Sequence, residues 1–432
     1  MTVVDAASRT LRPASSLRGR LSVPADKSIA HRALIVNALS GGPATVVMRS
    51  PGRDVLSTAA CLRALGVRVD SETAGPVVRF TLTGPPRADA ELDCGNSGTT
   101  MRLLAGALAG LPLHAVLDGD ASLRTRPMER VATLLRATGA AVATTNGRAP
   151  ITVVGSERPK AVAHRIPVAS AQLLGACALA ALGAEGETTI EVPAEVRDHT
   201  ERMLAATGVD IRRDGLVTSV RGPAHPRPMS LRVPGDPSSA APWLVAGTLH
   251  PDADVTIVDV SLNPTRIALL DLMRRMGADV EATITDEHGP EPVGDLRVRG
   301  GAALTAVEIG GDEVAALIDE LPLVAILMAA ADGTSELRDA SELRVKESDR
   351  IGATVAGLEA IGASVEELPD GWRVSRGLPR AGRVTTHGDH RIAIAFAVAA
   401  LAGVASAVEL DDPDCVAVSY PTFWGDVAEV SA

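Results

Sequence analysis

The chain repeats one arrangement of polar and apolar residues six times: a short polar opening precedes a long run of small apolar residues. The six openings are Lys27-Ser28, Asn96-Ser97-Gly98, Ala169-Ser170-Ala171-Gln172, Asp236-Pro237-Ser238-Ser239, Asp319-Glu320 and Asp389-His390-Arg391. Measured between Ser28, Ser97, Ser170, Ser238, Asp319 and Asp389, consecutive openings lie 69, 73, 68, 81 and 70 residues apart. This recurrence predicts six copies of a repeat of about 70 residues.

A second pattern recurs between these openings. An amphipathic segment ends at a glycine, and β-branched residues follow it, in residues 62–67, 134–140, 203–209, 272–278 and 358–363. The glycine is the expected left-handed stop of a helix. Each repeat is therefore predicted to hold two helices, the first buried and the second at the surface, separated and followed by strands.

The first helix of each repeat is predicted to be buried on every side, because segments such as 173–182 and 321–331 are apolar all round. Three such helices packed together and walled by sheets would satisfy this requirement, so six repeats predict two domains of three repeats each. The Pro/Gly-rich segment 221–237 is the candidate boundary. The uncharged segment 392–408 is interpreted as a buried helix that runs into a strand, not as a membrane span.

Composition narrows the class of protein. Of 432 residues, 46% are apolar and 22% are charged, which is typical of soluble globular proteins. A net charge of −11 and an aromatic content of 2% argue against a nucleic-acid-binding protein. The four cysteines are scattered, so neither a disulfide framework nor a zinc site is expected, and the N-terminus lacks the apolar core of a signal peptide.

Several cations lie at the predicted helix openings. Lys27 stands where the helix macrodipole disfavours a positive charge, which is reasonable if an anion shares the site. The segment from Gly95 to Arg102 combines glycines, free amides and threonine hydroxyls that suit a phosphate, although an ordinary strand-to-helix turn would read similarly. Arg124 and Arg126 precede a further predicted helix.

The C-terminal half adds both cations and carboxylates. Lys346 and Arg350 are four residues apart, which predicts that they share one helical face, with Glu347 beside Lys346. An exposed ladder of ion pairs would explain this spacing equally well. Asp319 either caps a helix or acts as a general base. The pair His387 and His390 lacks an apparent third ligand, so no metal site is expected.

Together these residues predict a transferase or lyase that acts on small polyanions without an obligatory metal. An acidic protein places cations at its helix openings and two carboxylates beside them. The residues concerned are Lys27, Arg32, Arg126, Lys346, Arg350, Arg391, Asp319 and Glu347.

Eight ordered motifs, from about residue 20 to the C-terminus, resemble the 5-enolpyruvylshikimate-3-phosphate synthase family, in its bacterial class II-like form. They are Asp26-Lys27-Ser28 with Arg32, Gly95-Asn96-Ser97-Gly98-Thr99-Thr100-Met101-Arg102, Arg126-Pro127-Met128, Ser170-Ala171-Gln172, Arg197-Asp198-His199-Thr200-Glu201, Ile318-Asp319-Glu320-Leu321-Pro322, Arg344-Val345-Lys346-Glu347-Ser348-Asp349-Arg350 and Gly388-Asp389-His390-Arg391.

The resemblance implies an α/β (α+β) fold, a two-domain inverse α/β barrel of six βαβαββ units, three per domain. Its first domain would span residues 21–234 and its second residues 1–20 plus 235–432, with the chain crossing twice and the active site in the cleft between them. No cofactor and no metal are implied. A cytoplasmic monomer that binds only small molecules, with neither nucleic acid nor membrane as partner, is expected.

The implied reaction moves the enolpyruvyl group of phosphoenolpyruvate to the 5-hydroxyl of shikimate 3-phosphate and releases phosphate. The implied catalytic residues are Asp319, Glu347 and Lys27. The implied ligands of shikimate 3-phosphate are Lys27, Ser28, Arg32, Ser170, Ala171, Gln172, Asp319 and Lys346. Those of phosphoenolpyruvate are Lys27, Gly98, Arg126, Gln172, Arg350 and Arg391. Sensitivity to glyphosate is also expected, since Gly98 leaves room that an alanine methyl would fill.

Three alternatives remain at the level of sequence. Val196, Val418 and Ala171 depart from residues that some relatives carry, which leaves open a related acceptor in specialised metabolism. The sister enzyme that uses UDP-N-acetylglucosamine is disfavoured, because it needs a loop cysteine and none lies between Cys94 and Cys177. A non-catalytic anion-binding protein is disfavoured because all three implied catalytic residues are present.

Overall fold

The computed structural model of the chain describes residues 4–5, 10–287 and 289–431. Its α-helices are α1 Lys27–Ser40, α2 Arg53–Ala64, α3 Gly98–Ala109, α4 Glu129–Ala137, α5 Ala171–Ala181, α6 His199–Ala206, α7 Pro237–Leu249, α8 Ala268–Met276, α9 Asp312–Leu317, α10 Leu321–Ala330, α11 Arg350–Ile361, α12 His390–Leu401 and α13 Phe423–Val430. Short 3-10 helices span Leu123–Thr125, Ser341–Val345 and Pro413–Val418.

The strands of the described residues are β1 Val4–Asp5, β2 Thr10–Leu11, β3 Leu17–Leu21, β4 Ala44–Arg49, β5 Arg68–Ala74, β6 Val77–Thr83, β7 Ala90–Asp93, β8 His114–Asp118, β9 Ala141–Thr145, β10 Arg148–Val154, β11 Ala163–Arg165, β12 Gly186–Glu191, β13 Ile211–Asp214, β14 Val217–Gly222, β15 Leu231–Arg232, β16 Ala253–Ser261, β17 Asp279–Asp286, β18 Val293–Arg299, β19 Glu308–Ile309, β20 Thr334–Leu337, β21 Ser364–Leu368, β22 Gly371–Ser375, β23 Ala381–Val384 and β24 Ala407–Leu410.

These strands form six four-stranded sheets, so the prediction of six βαβαββ repeats in an α/β fold is confirmed. The second repeat shows the arrangement, with the chain order β7-α3-β8-α4-β9-β10 and the sheet order β7-β8-β10-β9. Its strand β7 runs parallel to β8, whereas β10 is antiparallel to both β8 and β9. The parallel pair places a buried helix between its two strands, as a crossover connection requires.

Three of the six sheets are completed by strands from distant parts of the chain. Strand β15 pairs in parallel with β4, and β3 pairs in parallel with β16. Strand β2 pairs antiparallel with β24, and β1 extends that sheet. The N-terminal segment therefore supplies edges to the fourth and sixth repeats, because each repeat needs a full sheet to cover its buried helix.

The chain separates into two compact units. The first, here called the first lobe, comprises Ala25–Pro234 together with the described residues of Glu287–Glu291. The second lobe comprises the described parts of Met1–Pro24, Gly235–Asp286 and Pro292–Ala432. Each lobe contains three repeats and one hydrophobic core of its own.

The core of each lobe is built around the first helices of its three repeats. These are α1, α3 and α5 in the first lobe and α7, α10 and α12 in the second. Residues 29–38 of α1 and 392–401 of α12 are all buried, so the prediction of helices buried on every side is confirmed. No described helix is long and apolar enough to cross a bilayer, and residues 392–408 form α12, a turn and β24.

The glycine stops of the surface helices are confirmed by their backbone angles. The value of φ is +83° at Gly66, +95° at Gly139, +87° at Gly208, +102° at Gly277 and +100° at Gly362. Only glycine adopts this left-handed region without a steric penalty. The sequence therefore located these helix ends correctly.

The prediction that Lys346 and Arg350 share a helical face is wrong. Helix α11 begins at Arg350, because the Asp349 carboxylate accepts hydrogen bonds from the amides of Ile351 and Gly352 at 3.1 Å each. Lys346 lies outside this helix, in extended backbone after the 3-10 helix Ser341–Val345. The Asp349 cap separates the two cations structurally despite their four-residue spacing.

We predict that Gly106→Ala destabilises the first lobe by about 1–3 kcal/mol, the usual range for overpacking a core. Helices α3 and α5 approach so closely that a Cβ at Gly106 would lie 2.3 Å from the carbonyl oxygen of Ala176, a backbone atom that cannot turn away. Thermal unfolding of the purified variant measures the effect.

Gly425→Ala is the matched control. Gly425 lies within α13 and has no atom within 4 Å of a Cβ placed there. We expect this variant to be neutral or stabilised by about 0.5–1 kcal/mol, since alanine favours helix. Equal melting temperatures for both variants would contradict the close helix contact.

Candidate functional site

The candidate site of the first lobe is built on the N-terminal ends of α1, α3 and α5, which side-chain caps fix in the chain. The Asp26 carboxylate accepts from the amides of Ser28 and Ile29 at 2.7 and 3.0 Å, so α1 starts at Lys27. Ser97 caps α3 by accepting from the Thr100 amide, and Ser170 caps α5 in the same way. Caps of this kind satisfy amides that have no partner within the helix.

Arg32 joins three helices one turn inside α1. Its side chain is almost fully buried and donates from Nε to Thr200 Oγ1 at 2.6 Å. Its Nη1 and Nη2 donate to the carbonyl oxygens of Ser28 and Ala171 at 3.0 and 3.4 Å. Thr200 belongs to the motif Arg197–Glu201, for which the sequence predicted no role at this position. In the structure, its hydroxyl accepts the hydrogen bond from Arg32 Nε.

Arg32 keeps a positive charge despite its burial. Burial lowers the pKa of Arg32 to about 10, while the nearby carboxylates of Glu201, Asp26 and Glu291 oppose the decrease. Burial in turn raises the pKa of Glu201. A guanidinium with a pKa of about 10 is protonated at neutral pH, so the first lobe holds a buried, oriented cation at this point.

Gln172 is held by a hydrogen-bonded layer at the start of α3. Its Oε1 accepts from Arg102 Nη1 at 2.8 Å, and its Nε2 donates to Thr99 Oγ1 at 2.9 Å. Arg102 also donates to the carbonyl oxygens of Gly98 and Pro127, at 3.4 and 3.1 Å. Arg102 lies in the motif Gly95–Arg102, but the sequence predicted no function for it. Spacing along the chain does not show which arginine side chain is buried against other helices.

Arg102 and Arg126 concentrate positive charge beside Gly98. Burial, with repulsion from Arg126 and Arg130, lowers the pKa of Arg102 to about 10. Arg126 donates from Nη2 to Asn96 Oδ1 at 2.6 Å. Arg124 instead forms an ion pair with Asp118, so of the two neighbouring arginines only Arg126 contacts the glycine-rich loop.

Gly98 leaves little space for a side chain. A Cβ at this position would lie 2.6 Å from Arg102 Nη1 and 3.6 Å from Arg126 Nη1. The absence of a side chain therefore allows the Arg102 guanidinium to approach the first turn of α3, whereas the contact with Arg126 would be an ordinary one.

Lys27 occupies the first position of α1, and Ser28 follows it, both partly exposed. Ser170, Ala171 and Gln172 are likewise partly exposed at the start of α5. Among the residues that the structure describes, Lys27 has no carboxylate within ion-pair distance. Its ammonium group is thus available to an incoming anion.

The candidate site of the second lobe centres on Arg350 and Asp389. Asp389 caps α12 by accepting from the Arg391 amide at 2.9 Å, and it also accepts from Arg350 Nε at 2.8 Å. Ser348 donates to the same carboxylate at 3.0 Å. Both charged side chains are buried, with exposed fractions of 2% for Arg350 and 0% for Asp389.

The charges of this buried pair stabilise each other. Burial alone would lower the pKa of Arg350, but the carboxylates of Asp389, Glu347 and Asp319 outweigh it and hold the pKa above its ordinary value. Burial alone would raise the pKa of Asp389, yet Arg350 holds it below its ordinary value. Glu347 completes the group, since its Oε2 accepts from Arg350 Nη2 at 2.6 Å.

Asp319 lies between two arginines. Its Oδ1 is 4.0 Å from Arg350 Nη1, and its Oδ2 is 4.0 Å from Arg391 Nη2. Glu320 is 3.5 Å from Arg391 Nη1. Glu320 occupies the N-cap position of α10, but its side chain makes no capping hydrogen bond there.

The second lobe also contains a buried pair that sequence reasoning missed. Arg266 Nη2 donates to Asp236 Oδ1 at 3.0 Å and to Ser238 Oγ at 2.8 Å, and Ser238 donates to Glu320. Ser238 belongs to a recognised repeat opening, but nothing in the spacing of Arg266 links it to that opening.

Of the residues expected in this lobe, Asp319, Glu347, Arg350 and Arg391 lie together. Lys346 is partly exposed and its Nζ lies 3.7 Å from Glu342. Among the described residues, no group of three or more His, Cys, Asp or Glu side chains is arranged to hold a metal ion. The arrangement therefore offers arginines for anionic groups and carboxylates for proton transfer.

Fold and site define a two-lobed α/β protein with cations at the ends of buried helices, and comparison with known proteins identifies the family. The family model described as EPSP synthase (3-phosphoshikimate 1-carboxyvinyltransferase) matches residues 11–427. The chain belongs to this family.

Similar proteins extend over the whole chain. A 3-phosphoshikimate 1-carboxyvinyltransferase of Gloeobacter violaceus is 48% identical, over 98% of each chain. One from Roseiflexus is 46% identical, over 98% of this chain and 99% of the relative. The EPSP synthase structure from Acinetobacter baumannii matches with a TM-score of 0.87 at 35% identity, over 98% of this chain and 97% of its own.

A more distant solved structure shares the fold alone. The enolpyruvyl transferase NikO from Streptomyces tendae superposes with a TM-score of 0.75 at 18% identity, over 98% of this chain and 97% of its own.

We predict that Gly98→Ala raises the KM for phosphoenolpyruvate roughly tenfold, within the range that one methyl group produces in a tight site. The methyl would displace the Arg102 guanidinium, and with it the contact to Gln172. Glyphosate inhibition should weaken in the same variant. Steady-state kinetics measures both, with Gly425→Ala as control. Unchanged KM and inhibition would contradict the steric argument.

Proposed function

We propose that this protein transfers the enolpyruvyl (1-carboxyvinyl) group of phosphoenolpyruvate to the 5-hydroxyl of shikimate 3-phosphate, giving 5-enolpyruvylshikimate 3-phosphate and phosphate. The observation that carries the proposal is the match to relatives named 3-phosphoshikimate 1-carboxyvinyltransferase, 44–48% identical over nearly the full length of both chains. The reaction belongs to the shikimate pathway, which leads to chorismate and the aromatic amino acids.

We propose that the residue sets of the two lobes act on the same two substrates. Shikimate 3-phosphate is held by Lys27, Ser28, Arg32, Ser170, Ala171, Gln172, Asp319 and Lys346. Phosphoenolpyruvate is held by Lys27, Gly98, Arg126, Gln172, Arg350 and Arg391. The number of cations supports this assignment, since two phosphates and two carboxylates must be neutralised together.

In the proposed first step, the 5-hydroxyl oxygen bonds to C2 of phosphoenolpyruvate. Asp319 accepts the hydroxyl proton, and Glu347, together with Lys27, delivers a proton to the methylene carbon C3. The product is a tetrahedral intermediate. The position of Asp319 supports its role, because its carboxylate lies 4.0 Å from Arg350 and from Arg391, two of the proposed ligands of phosphoenolpyruvate.

In the second step the bond between C2 and the phosphate oxygen breaks, and C3 returns its proton to the enzyme. Phosphate leaves with the electron pair of the broken bond. Arginine and lysine side chains stabilise the charge that develops on the departing group. Arg350, oriented by Asp389 and Glu347, and Arg126, oriented by Asn96, are suited to this task.

Enolpyruvyl transfer to a related acceptor remains the alternative. Val196 stands where many relatives have a serine, and its side chain packs in the hydrophobic core of the first lobe, so it offers no polar group to an acceptor. The UDP-N-acetylglucosamine enzyme is disfavoured, because the loop Gly119-Asp120-Ala121-Ser122 carries no cysteine.

We further propose that the protein works in the cytoplasm, binds only its small substrates and acts as a monomer. All four cysteines are buried free thiols, which supports a reducing compartment.

The test of the activity is phosphate release from the purified protein with phosphoenolpyruvate, with and without shikimate 3-phosphate. Release only when both are present, with a product of the expected mass, would establish the reaction. No release would refute it, and other hydroxylated ring phosphates and UDP-sugars would then be tested as acceptors.

We predict that Lys27→Met lowers kcat by about 10²–10⁴-fold, the range lost when an acid–base group is removed. The melting temperature should not fall, because a cation at a helix N-terminus does not stabilise the helix. Lys160→Met, which changes an exposed lysine of the same lobe, is the control and should keep full activity. Near-normal turnover of Lys27→Met would refute the role assigned to Lys27.

We predict that Asp319→Asn lowers kcat by about 10²-fold or more without raising the KM for phosphoenolpyruvate. The amide cannot accept the hydroxyl proton, while Arg350 and Arg391 lose a competing carboxylate. Asp312→Asn, at an exposed position of the same lobe, is the matched control. An unchanged kcat for Asp319→Asn would show that another group is the base.

A further inference from the structure

A buried chain of hydrogen bonds connects α1, α2 and α3 in the first lobe. His31 Nδ1 lies 2.7 Å from Thr58 Oγ1, and Thr58 Oγ1 lies 2.7 Å from Thr100 Oγ1. Thr100 donates to Ser97 Oγ, also at 2.7 Å. All four side chains are at most 1% exposed. Sequence analysis assigned no function to His31 or Thr58, and it considered Ser97 and Thr100 only as part of the segment from Gly95 to Arg102 that suits a phosphate.

The protonation state of His31 gives this chain a direction. Burial, with the positive charges of Lys27 and Arg32, lowers the pKa of His31 to about 3, so the ring is neutral and carries one proton. Its Nε2 is buried without a hydrogen-bond partner. We therefore assign the proton to Nδ1, because a buried N–H without an acceptor is less favourable than an unused lone pair.

The remaining hydroxyls then have defined roles. His31 donates to Thr58, Thr58 donates to Thr100, and Thr100 donates to Ser97, with the Asp54 carbonyl as a second acceptor at 3.3 Å. Ser97 also accepts the Thr100 amide at 3.1 Å. The chain thus ends at the residue that caps α3.

The two ends of this chain lie beside proposed substrate ligands. His31 directly precedes Arg32 and lies one turn after Lys27 on α1, while Thr100 lies two residues after Gly98 on α3. Thr58 is on α2, which carries none of the proposed ligands. A substitution at Thr58 therefore changes the connection between the two helix starts without removing a ligand.

Helix α2 supports the loop before α3 at further points. Cys61 Sγ donates to the carbonyl oxygen of Asp93 at 3.3 Å. A Cβ at Gly95 would lie 3.0 Å from Ser57 Oγ. Ser57, Thr58 and Cys61 thus place one side of α2 along the segment that leads into Gly98.

We propose that Thr58 is a positioning residue, which fixes the start of α3 at Gly98 relative to Lys27 on α1 through its hydrogen bonds to His31 and Thr100. The inference rests on the proposed function, in which Lys27 and Gly98 hold phosphoenolpyruvate together. In the first lobe the proposed ligands of shikimate 3-phosphate lie on or at the start of α1 and α5, so its binding depends on the placement of α3 only through the contacts of Gln172 with Arg102 and Thr99.

The test compares Thr58→Val with Thr58→Ser in the full-length protein. Valine keeps the shape but removes the hydroxyl, which leaves His31 and Thr100 without their shared partner, whereas serine keeps the hydroxyl. For Thr58→Val we expect the KM for phosphoenolpyruvate to rise about 5- to 10-fold, as expected when one buried hydrogen bond is lost. The KM for shikimate 3-phosphate should change less than about twofold, and Thr58→Ser should restore both values.

A merely structural role predicts a different result. If Thr58→Val lowers the melting temperature but leaves both KM values unchanged, or raises both equally, the proposal is overturned. If Thr58→Val does not fold, the test is repeated with Thr100→Val, which removes the next hydroxyl, and with Thr100→Ser, which keeps it. The proposal then requires that Thr100→Val raise the KM for phosphoenolpyruvate selectively and that Thr100→Ser not do so.

Calorimetric titration with phosphoenolpyruvate alone makes the comparison without turnover. A wild type that binds phosphoenolpyruvate but releases no phosphate with shikimate 3-phosphate refutes the proposed function. Weaker binding to Thr58→Val than to Thr58→Ser would still support the role of Thr58, and equal binding would refute it.

Discussion

The burial of the first helix of each repeat is the constraint on which the rest of the structure depends. A helix that is surrounded by apolar side chains along its length can carry polar groups only at its ends. The first amides of such a helix have no partner within the helix, so side chains at its start must accept their hydrogen bonds. Asp26, Ser97 and Ser170 meet this requirement in the first lobe, and Asp236 and Asp389 meet it in the second. These helix starts favour anions, and a cation placed beside them adds to the attraction for an anionic ligand.

The two lobes stabilise these cations differently. In the first lobe, Arg32 and Arg102 are held mainly by hydroxyl, amide and carbonyl oxygens, and burial lowers the pKa of each to about 10. In the second lobe, Arg350 is paired with Asp389 and Glu347, and its pKa lies above the ordinary value. In the first lobe the direct contacts of Arg32 and Arg102 are therefore with uncharged oxygens, whereas in the second lobe Arg350 contacts carboxylates directly.

The same repeat therefore carries two kinds of hydrogen-bond network. Hydroxyl-rich networks such as His31–Thr58–Thr100–Ser97 fix backbone positions without adding charge. Carboxylate-rich networks such as Asp389–Arg350–Glu347 fix charged side chains and keep them ionised, while opposite charges lower the net charge of the group. Each lobe uses the network that suits the groups it must orient.

The sequence alone determined the repeat, the glycine stops and the buried helices, because these depend on local periodicity and on the backbone freedom of single residues. It also identified most cations at helix ends through the motifs of the family. It did not show that β15, β3, β1 and β2 complete distant sheets, since strands of two to five residues carry too little pattern.

Only the tertiary structure decided which cations turn inward. It separated Lys346 from Arg350 through the Asp349 cap, and it brought Arg102 to Gln172 and Arg266 to Asp236. The physical reason is that spacing along the chain fixes neighbours within one helix, whereas a buried charge depends on partners that other helices bring to it.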